Sequence, residues 1–313
     1  MKKLSLMICL VSVLLFGMSG CGHSEQERHR LSKQEKARLD SIDRASLKIG
    51  VMPTLDCLPV YLAYEDSLFL KQGVTVHLYR YNAQMDCDTA IARGRVEGTV
   101  TDLVRAARIE KKGVPLFYPV STNLYWQLIS NRKARVSELK QLSDKMIAIT
   151  RHSATDYLAD LAIDSAKPKY EVYRMQINDL NIRLSMLLNN EMDAMLLPEP
   201  YATRARMAQN VVLMDSRNKN INLGAIAFRS KLKSNRRRKD QINRFLTAYD
   251  IAVDSINKNG VRKYATLLKK YYNLDAHTIK SLPQLKYSHA MEPLQRDLQL
   301  ARKRAEKEYF LNN

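Results

Sequence analysis

Asp86-Cys87-Asp88, and the Asp56-Cys57 pair upstream of it, are the residues of this chain whose types could do chemistry together. Two thiols permit a disulfide, a soft-metal site, a nucleophile, or a pair of free thiols packed beneath a cleft. The bridge is taken first: Cys57 and Cys87 each follow a strand end, and closing the loop between them would contribute about 3 kcal/mol. A metal could draw on Cys57, Cys87, Met85 and His152, although no paired CxxC or HxxxH spacing supports one, and no metal is assigned. Catalysis by a thiol ranks last, because His152 lies far along the chain and nothing in the sequence orients it. Asp56, Asp86, Asp88 and Asp102 cannot all sit unpaired in one closed cleft without raised pKa values or a cationic partner. That leans toward an amine or a cationic heterocycle as ligand. The competing reading is that Asp86, Asp88 and Asp102 each cap the helix that follows.

The segment "RHSATD" (151–156) pulls the other way. Ser153 and Asp156 have capping-box-like spacing, and the amides near Ser153 and Thr155, beside Arg151 and His152, make a helix start that suits a sulfonate or phosphate. A ligand with a cationic and an anionic end would satisfy both walls, or Arg151 pairs with one of the aspartates. Trp126, the single tryptophan, and Tyr125 form either an aromatic wall for a planar ligand or a core anchor. His77, His277 and His289 have no partners in the sequence and read as surface or packing residues.

The elements that must position these residues alternate. "LKIGVM", "VTVHLYRY", "EGTVTD", "VPLFYPV", "YWQLISN", "KMIAIT", "YEVYRMQI", "MDAMLLPEP", "VVLMDS" and "LGAIAFRS" read as strands, most of them separated by helical segments, and long helices close the chain. "VSELKQLSD" reads as one of the intervening helices. This rhythm gives an α/β fold with helix-flanked, mostly parallel sheets. In such sheets ligands sit beyond the carboxyl ends of the strands, which places 53–59, 83–88, 101–102, 151–155 and 198–201 at one mouth.

The amino terminus bounds the compartment. Lys2 and Lys3 precede an apolar run from Leu4 to Phe16, too short to span a bilayer, and Gly17 to Gly20 lead into Cys21. This resembles the bacterial lipobox, which implies a signal peptide over 1–20, cleavage before Cys21 and lipidation of its thiol. Residues 21–45 are charged and poor in large apolar side chains, and read as an unstructured, at most transiently helical tether. The formal charge is +19; removal of 1–20 takes only Lys2 and Lys3 and leaves +17. The cations are spread along helices without interleaved aromatics, so nucleic acid is not an expected partner.

"LKIGVMPTLDCLPVYLAYEDSLFLKQGVTVHLY", "AIARGRVEGTVTD", "SELKQLSDKMIAITRHSATDYLADLAI" and "LLNNEMDAMLLPEPYATRA", in this order, resemble the type 2 periplasmic substrate-binding proteins of the nitrate, sulfonate, taurine and thiamine-precursor group. Glu97-Gly98 and Asn190-Glu191 depart from the family pattern. The resemblance implies a two-domain fold with a helical carboxyl-terminal extension: domain 1 from 46–120 and 217–313, domain 2 from 121–216, hinged near Ser121 and Ser216. It implies a small-molecule solute, an ABC permease and ATPase as partners, a monomer, and no cofactor. Glu199 and Tyr201 match its Glu-Pro segment, where the glutamate faces the cleft or steadies the next helix. With the leader, the expectation is a lipid-anchored solute-binding protein on the outer face of a cell-envelope membrane, not an enzyme. An enzyme acting on a pyrimidine or quinone precursor, and a surface sensor or partner-binding module, are the alternatives.

Overall fold

A computed structural model describes residues 25–311. The leader and Cys21 lie outside the described residues. The chain divides into two units, Met1–Ala45 and Ser46–Asn313. In the first, α1 (Glu25–Ala45) is a helix and not the unstructured tether expected from composition. It contains neither Gly nor Pro, and local pairs such as Glu35 with Arg38, at 2.7 Å, support it without a core. No helix among the described residues is long and apolar enough to cross a membrane.

The second unit starts with β1 (Leu47–Val51), α2 (Leu58–Glu65), α3 (Leu68–Lys71), β2 (Val76–Arg80), α4 (Gln84–Ala92), β3 (Gly98–Asp102), α5 (Leu103–Lys111) and β4 (Leu116–Ser121). A crossover leads to β5 (Trp126–Ser130), β6 (Met146–Ile149), α6 (Ala154–Ala166), β7 (Tyr173–Gln176), α7 (Leu180–Leu188), β8 (Ala194–Pro198), α8 (Tyr201–Met207) and β9 (Val211–Asp215). The chain then crosses back into β10 (Gly224–Arg229), followed by α9 (Arg236–Asn259), α10 (Ala265–Tyr272), α11 (Ala276–Ser281) and α12 (Gln295–Leu311).

The strands form two five-stranded sheets, ordered β2-β1-β3-β10-β4 and β7-β6-β8-β5-β9. In each, the strand entering from the other sheet is the antiparallel one: β10 pairs antiparallel with β3 and β4, and β5 with β8 and β9, while β1–β2, β1–β3, β6–β7 and β6–β8 are parallel. Four of five strands in each sheet therefore run the same way, and their carboxyl ends share one edge. Burial follows the pattern: β3, β5, β8 and most of β10 are buried throughout, as strands covered on both faces should be. The exposed β7 sits at a sheet edge. "VSELKQLSD" forms only a 3-10 turn, Leu139–Leu142, held by reciprocal bonds between Glu138 and Gln141.

The two crossovers touch. Thr122 N–H donates to the Gly224 carbonyl at 3.0 Å, and Asn222 Nδ2 donates to the Thr122 carbonyl at 2.9 Å. A Cβ on Gly224 would lie 2.3 Å from Thr122 Oγ1 and 2.4 Å from Leu124 Cβ, so only glycine permits this approach.

Candidate functional site

Where the strand ends of the two sheets face each other they enclose a space of about 40 Å³, room for roughly three waters. Thr54, Gln84, Asp102, Ser153, Thr155 and Pro198 line it, one or more from each of the five segments that the strand-end rule selected. Trp126, at the start of β5, adds a largely buried aromatic wall. A sixth segment, after β7, adds Asn178, Leu180 and Arg183.

Asp102 ends β3 and caps α5, its Oδ1 accepting the Arg105 N–H at 3.0 Å. The same oxygen accepts the Ala154 N–H at 3.1 Å, so it also sits on the first turn of α6 in the opposite sheet's layer. Ser153 caps α6 from its own side, accepting the Thr155 N–H at 3.0 Å. Burial pushes the Asp102 carboxyl from 3.8 up to about 7; Arg105 opposes the rise and Asp88 adds to it. Further bonds shut the mouth: Arg105 Nη1 donates to the Arg151 carbonyl at 3.3 Å, Leu55 N–H to the Glu199 carbonyl at 2.9 Å, and Ala83 forms a β-bridge with Asp179.

Arg183 is the lining residue the sequence reading missed. It is 1 % exposed. Its Nε donates to the Ile177 carbonyl at 3.1 Å, Nη1 to the Leu196 carbonyl at 2.8 Å, and Nη2 to Thr150 Oγ1 at 2.8 Å and again to Ile177. Among the described residues no carboxylate forms an ion pair with it. Burial lowers its pKa to about 10, with Asp179 working against that, so it stays a cation at neutral pH. The cleft thus presents one buried carboxyl and one buried guanidinium, with hydroxyls and amides between them.

The other expected residues lie elsewhere. Asp56 is buried behind the cleft, its Oδ2 accepting from Thr122 Oγ1 at 3.2 Å and its Oδ1 without a partner; burial pushes it to about 6. Asp86 is exposed in the first turn of α4, and neither it nor Asp88 caps that helix, whose N-cap is Ala83. Asp88 is paired with Arg105. Arg151 and His152 line a separate groove with Asp156 and Arg174, and Asp156 Oδ2 accepts the His152 N–H at 2.8 Å. Glu199 steadies the following helix: its Oε2 accepts from the Thr203 N–H at 3.0 Å and its Oε1 pairs with Arg206 at 2.7 Å. Tyr201 is buried at the start of α8, where burial raises its hydroxyl pKa.

Cys57 and Cys87 correct the expected bridge: both are free and fully buried. Each sits in its own helix start and has its own hydroxyl neighbour, Thr54 Oγ1 at 3.6 Å from Cys57 Sγ and Thr99 beside Cys87. Burial raises both thiols well above their usual range, with Asp56 adding to the rise at Cys57 and Asp88 at Cys87. Neither thiol lines the cleft, and no cluster of three or more His, Cys, Asp or Glu suited to a metal occurs among the described residues. Ellman's reagent is therefore expected to find both thiols only after denaturation, without reductant, and rapid native labelling would contradict the burial.

A family model described as NMT1/THI5 like matches residues 54–260. No curated protein matches the chain. Among solved structures, the chain is similar to the ligand-binding component of an ABC-type import system from Staphylococcus aureus with zinc bound, at 15% identity over 85% of this chain and 92% of that one, with a TM-score of 0.69. It is also similar to the periplasmic aliphatic sulphonate binding protein SsuA from Escherichia coli, at 16% identity over 85% and 92% with a TM-score of 0.67. The periplasmic nitrate-binding protein NrtA from Synechocystis PCC 6803 aligns at 12% identity over 79% and 74% with a TM-score of 0.65. At these identities the likeness establishes the periplasmic-binding-protein fold.

Proposed function

The chain belongs to the NMT1/THI5-like family, and from that premise we propose that it is a solute-binding protein that captures a small polar, nitrogen-containing solute between its two sheets and hands it to an ABC permease. The observation that carries the reading is the buried Asp102 carboxyl facing a cleft walled by Trp126, with Arg183 behind. A carboxyl held near neutrality in a dry site gains most from a ligand that brings it a cation or N–H donor, and an indole offers a planar ring a stacking face. Capture works by rotation of one sheet layer against the other about the crossovers 122–125 and 216–223, which divide the chain into domains 46–120 with 217–313, and 121–216. A ligand shifts the closed state only as far as it binds both walls better than one. Anchoring through Cys21, on the outer face of an envelope membrane, would hold the protein next to its permease.

An enzyme on this fold has less support. The thiols are away from the cleft, and the hydroxyl of Ser153 is engaged, its Oγ donating to the Thr150 carbonyl at 2.6 Å.

A thermal-shift screen of amines, pyrimidines and sulfonates, preceded by native mass spectrometry of the gently purified protein, tests the proposal. A solute at about 100 times its Kd adds about 2.7 kcal/mol and raises Tm by about 5–10 °C in a protein of this size. The solute should be recovered unchanged after incubation. A product in its place would overturn the binding reading in favour of an enzyme, and a Tm rise with sulfonates alone would overturn the nitrogen-containing class.

A further inference from the structure

Behind the crossovers, on the far side of Leu124 from the cleft, lies a cavity of about 410 Å³, ten times the space between the strand ends. Leu124 lines both. The cavity is walled by the two crossovers and by the segment before α12. Its charged lining residues are Arg217, Lys286 and Arg296, and no acidic side chain lines it. Its apolar wall includes Leu124, Tyr125 and Leu285.

The hydrogen bonds of the three cations leave donors over. Arg217 grips Asp215 through Nε and Nη2, at 3.0 and 2.6 Å, and its guanidinium stacks 4.1 Å from the Tyr125 ring centre, which leaves Nη1 without an acceptor among the described residues. Arg296 uses Nη2 on the Asn220 carbonyl at 2.8 Å and approaches Asp297 with Nε at 3.5 Å; its Nη1 has no acceptor among the described residues either. Lys286 has no acceptor or acidic partner among the described residues. Three cationic donors around one partly apolar cavity have the chemistry of a site for an anion, and two of them are planar forks suited to a carboxylate.

We propose that this cavity is a second ligand site, for a small anion carrying an apolar ring or chain. The anionic group lies among Arg217, Lys286 and Arg296, and the apolar body packs on Leu124, Tyr125 and Leu285. The site does not depend on what the cleft binds.

The test uses 5-fluoroindole-3-acetate as probe, followed by fluorine NMR on the whole protein. Saturable binding with a Kd of about 1 mM is expected. Lys286→Glu and Arg296→Glu, both on exposed side chains and remote from the cleft, should each weaken it about tenfold. Asp102→Asn, in the cleft, should leave it unchanged. Absence of saturation up to about 10 mM overturns the site. So does binding that survives both charge reversals, and so does binding that is lost on Asp102→Asn, which would move the probe into the cleft. Failure of the cleft to take a solute would leave these readouts as they are.

Discussion

Replacing Arg183 with alanine is expected to lower the unfolding free energy by about 3–5 kcal/mol, a large share of the 5–15 kcal/mol typical of a folded domain. Three acceptors, the half-buried carbonyl of Ile177 and the buried carbonyl of Leu196 and hydroxyl of Thr150, lose their donor at once. Each unsatisfied buried group costs about 1–3 kcal/mol, and the deleted side chain leaves a cavity. Relief from burying an unpaired cation works in the opposite direction and keeps the total below the plain sum. Arg183→Met separates these contributions, since it keeps the volume and removes the charge. It leaves the same three acceptors without their donor and fills most of the space, so in urea melts it should cost more than half as much as alanine, short of it by the cavity contribution. Equal losses would mean that the guanidinium's hydrogen bonds, and not the filling of the space, carry the whole effect. A loss under about 1 kcal/mol for alanine would mean that Arg183 does not bind the loop after β7 to β8 as described.

Arg183 also shows where the sequence stops being informative. Strand and helix order could be read because each element carries its own period: "VTVHLYRY" alternates, and "LNIRLSMLL" keeps its apolar face. The strand-end rule then located five of the six segments at the cleft, since it needs only the element order. It could not tell which side chain in a segment points inward. Asp56 and Cys57 arrive in the right loop, yet the 3-10 turn Leu55–Cys57 carries them into the core, and Thr54 lines the cleft in their place. Arg183 stands between Ile182 and Leu184 in one of the helical segments read between strands; the single signal was an arginine on an apolar stretch. Its partners come from the residue after β6, from β8 and from the loop after β7, and such long-range acceptors leave no trace in local spacing. The disulfide failed for the same reason: two cysteines near adjacent strand ends say nothing about which way their Cβ atoms point. α1 differs from its expected state through local pairs that composition averages away.

Asp102→Asn is expected to weaken solute binding about tenfold to a hundredfold while leaving the fold intact. Asparagine is a good helix cap, and its carbonyl oxygen can accept the same Arg105 and Ala154 N–H bonds, so the local geometry survives the loss of charge. The pH dependence gives the sharper result. The Asp102 carboxyl titrates at about 7 in the folded protein against 3.8 ordinarily, because burial disfavours its charge. Between those values the folded protein holds a proton that the unfolded chain has lost, so solute-free stability falls as pH rises from about 4 to about 7 and levels off above. The asparagine variant loses this part of the slope. Asp56, pushed to about 6 by its own burial, keeps a smaller part in both proteins. Binding carries the opposite sign. A cationic solute pairs with the carboxylate and must expel the proton, so wild-type affinity should rise as pH passes through about 7 and then flatten, while the variant's affinity stays weak and level. An anionic solute held by Arg183 would lose affinity over the same range, and asparagine would leave its binding unchanged or tighter. Calorimetric titration in two buffers of different ionisation enthalpy reads the proton directly: release near neutral pH supports a nitrogen cation facing Asp102, and uptake would assign the cleft to an anion.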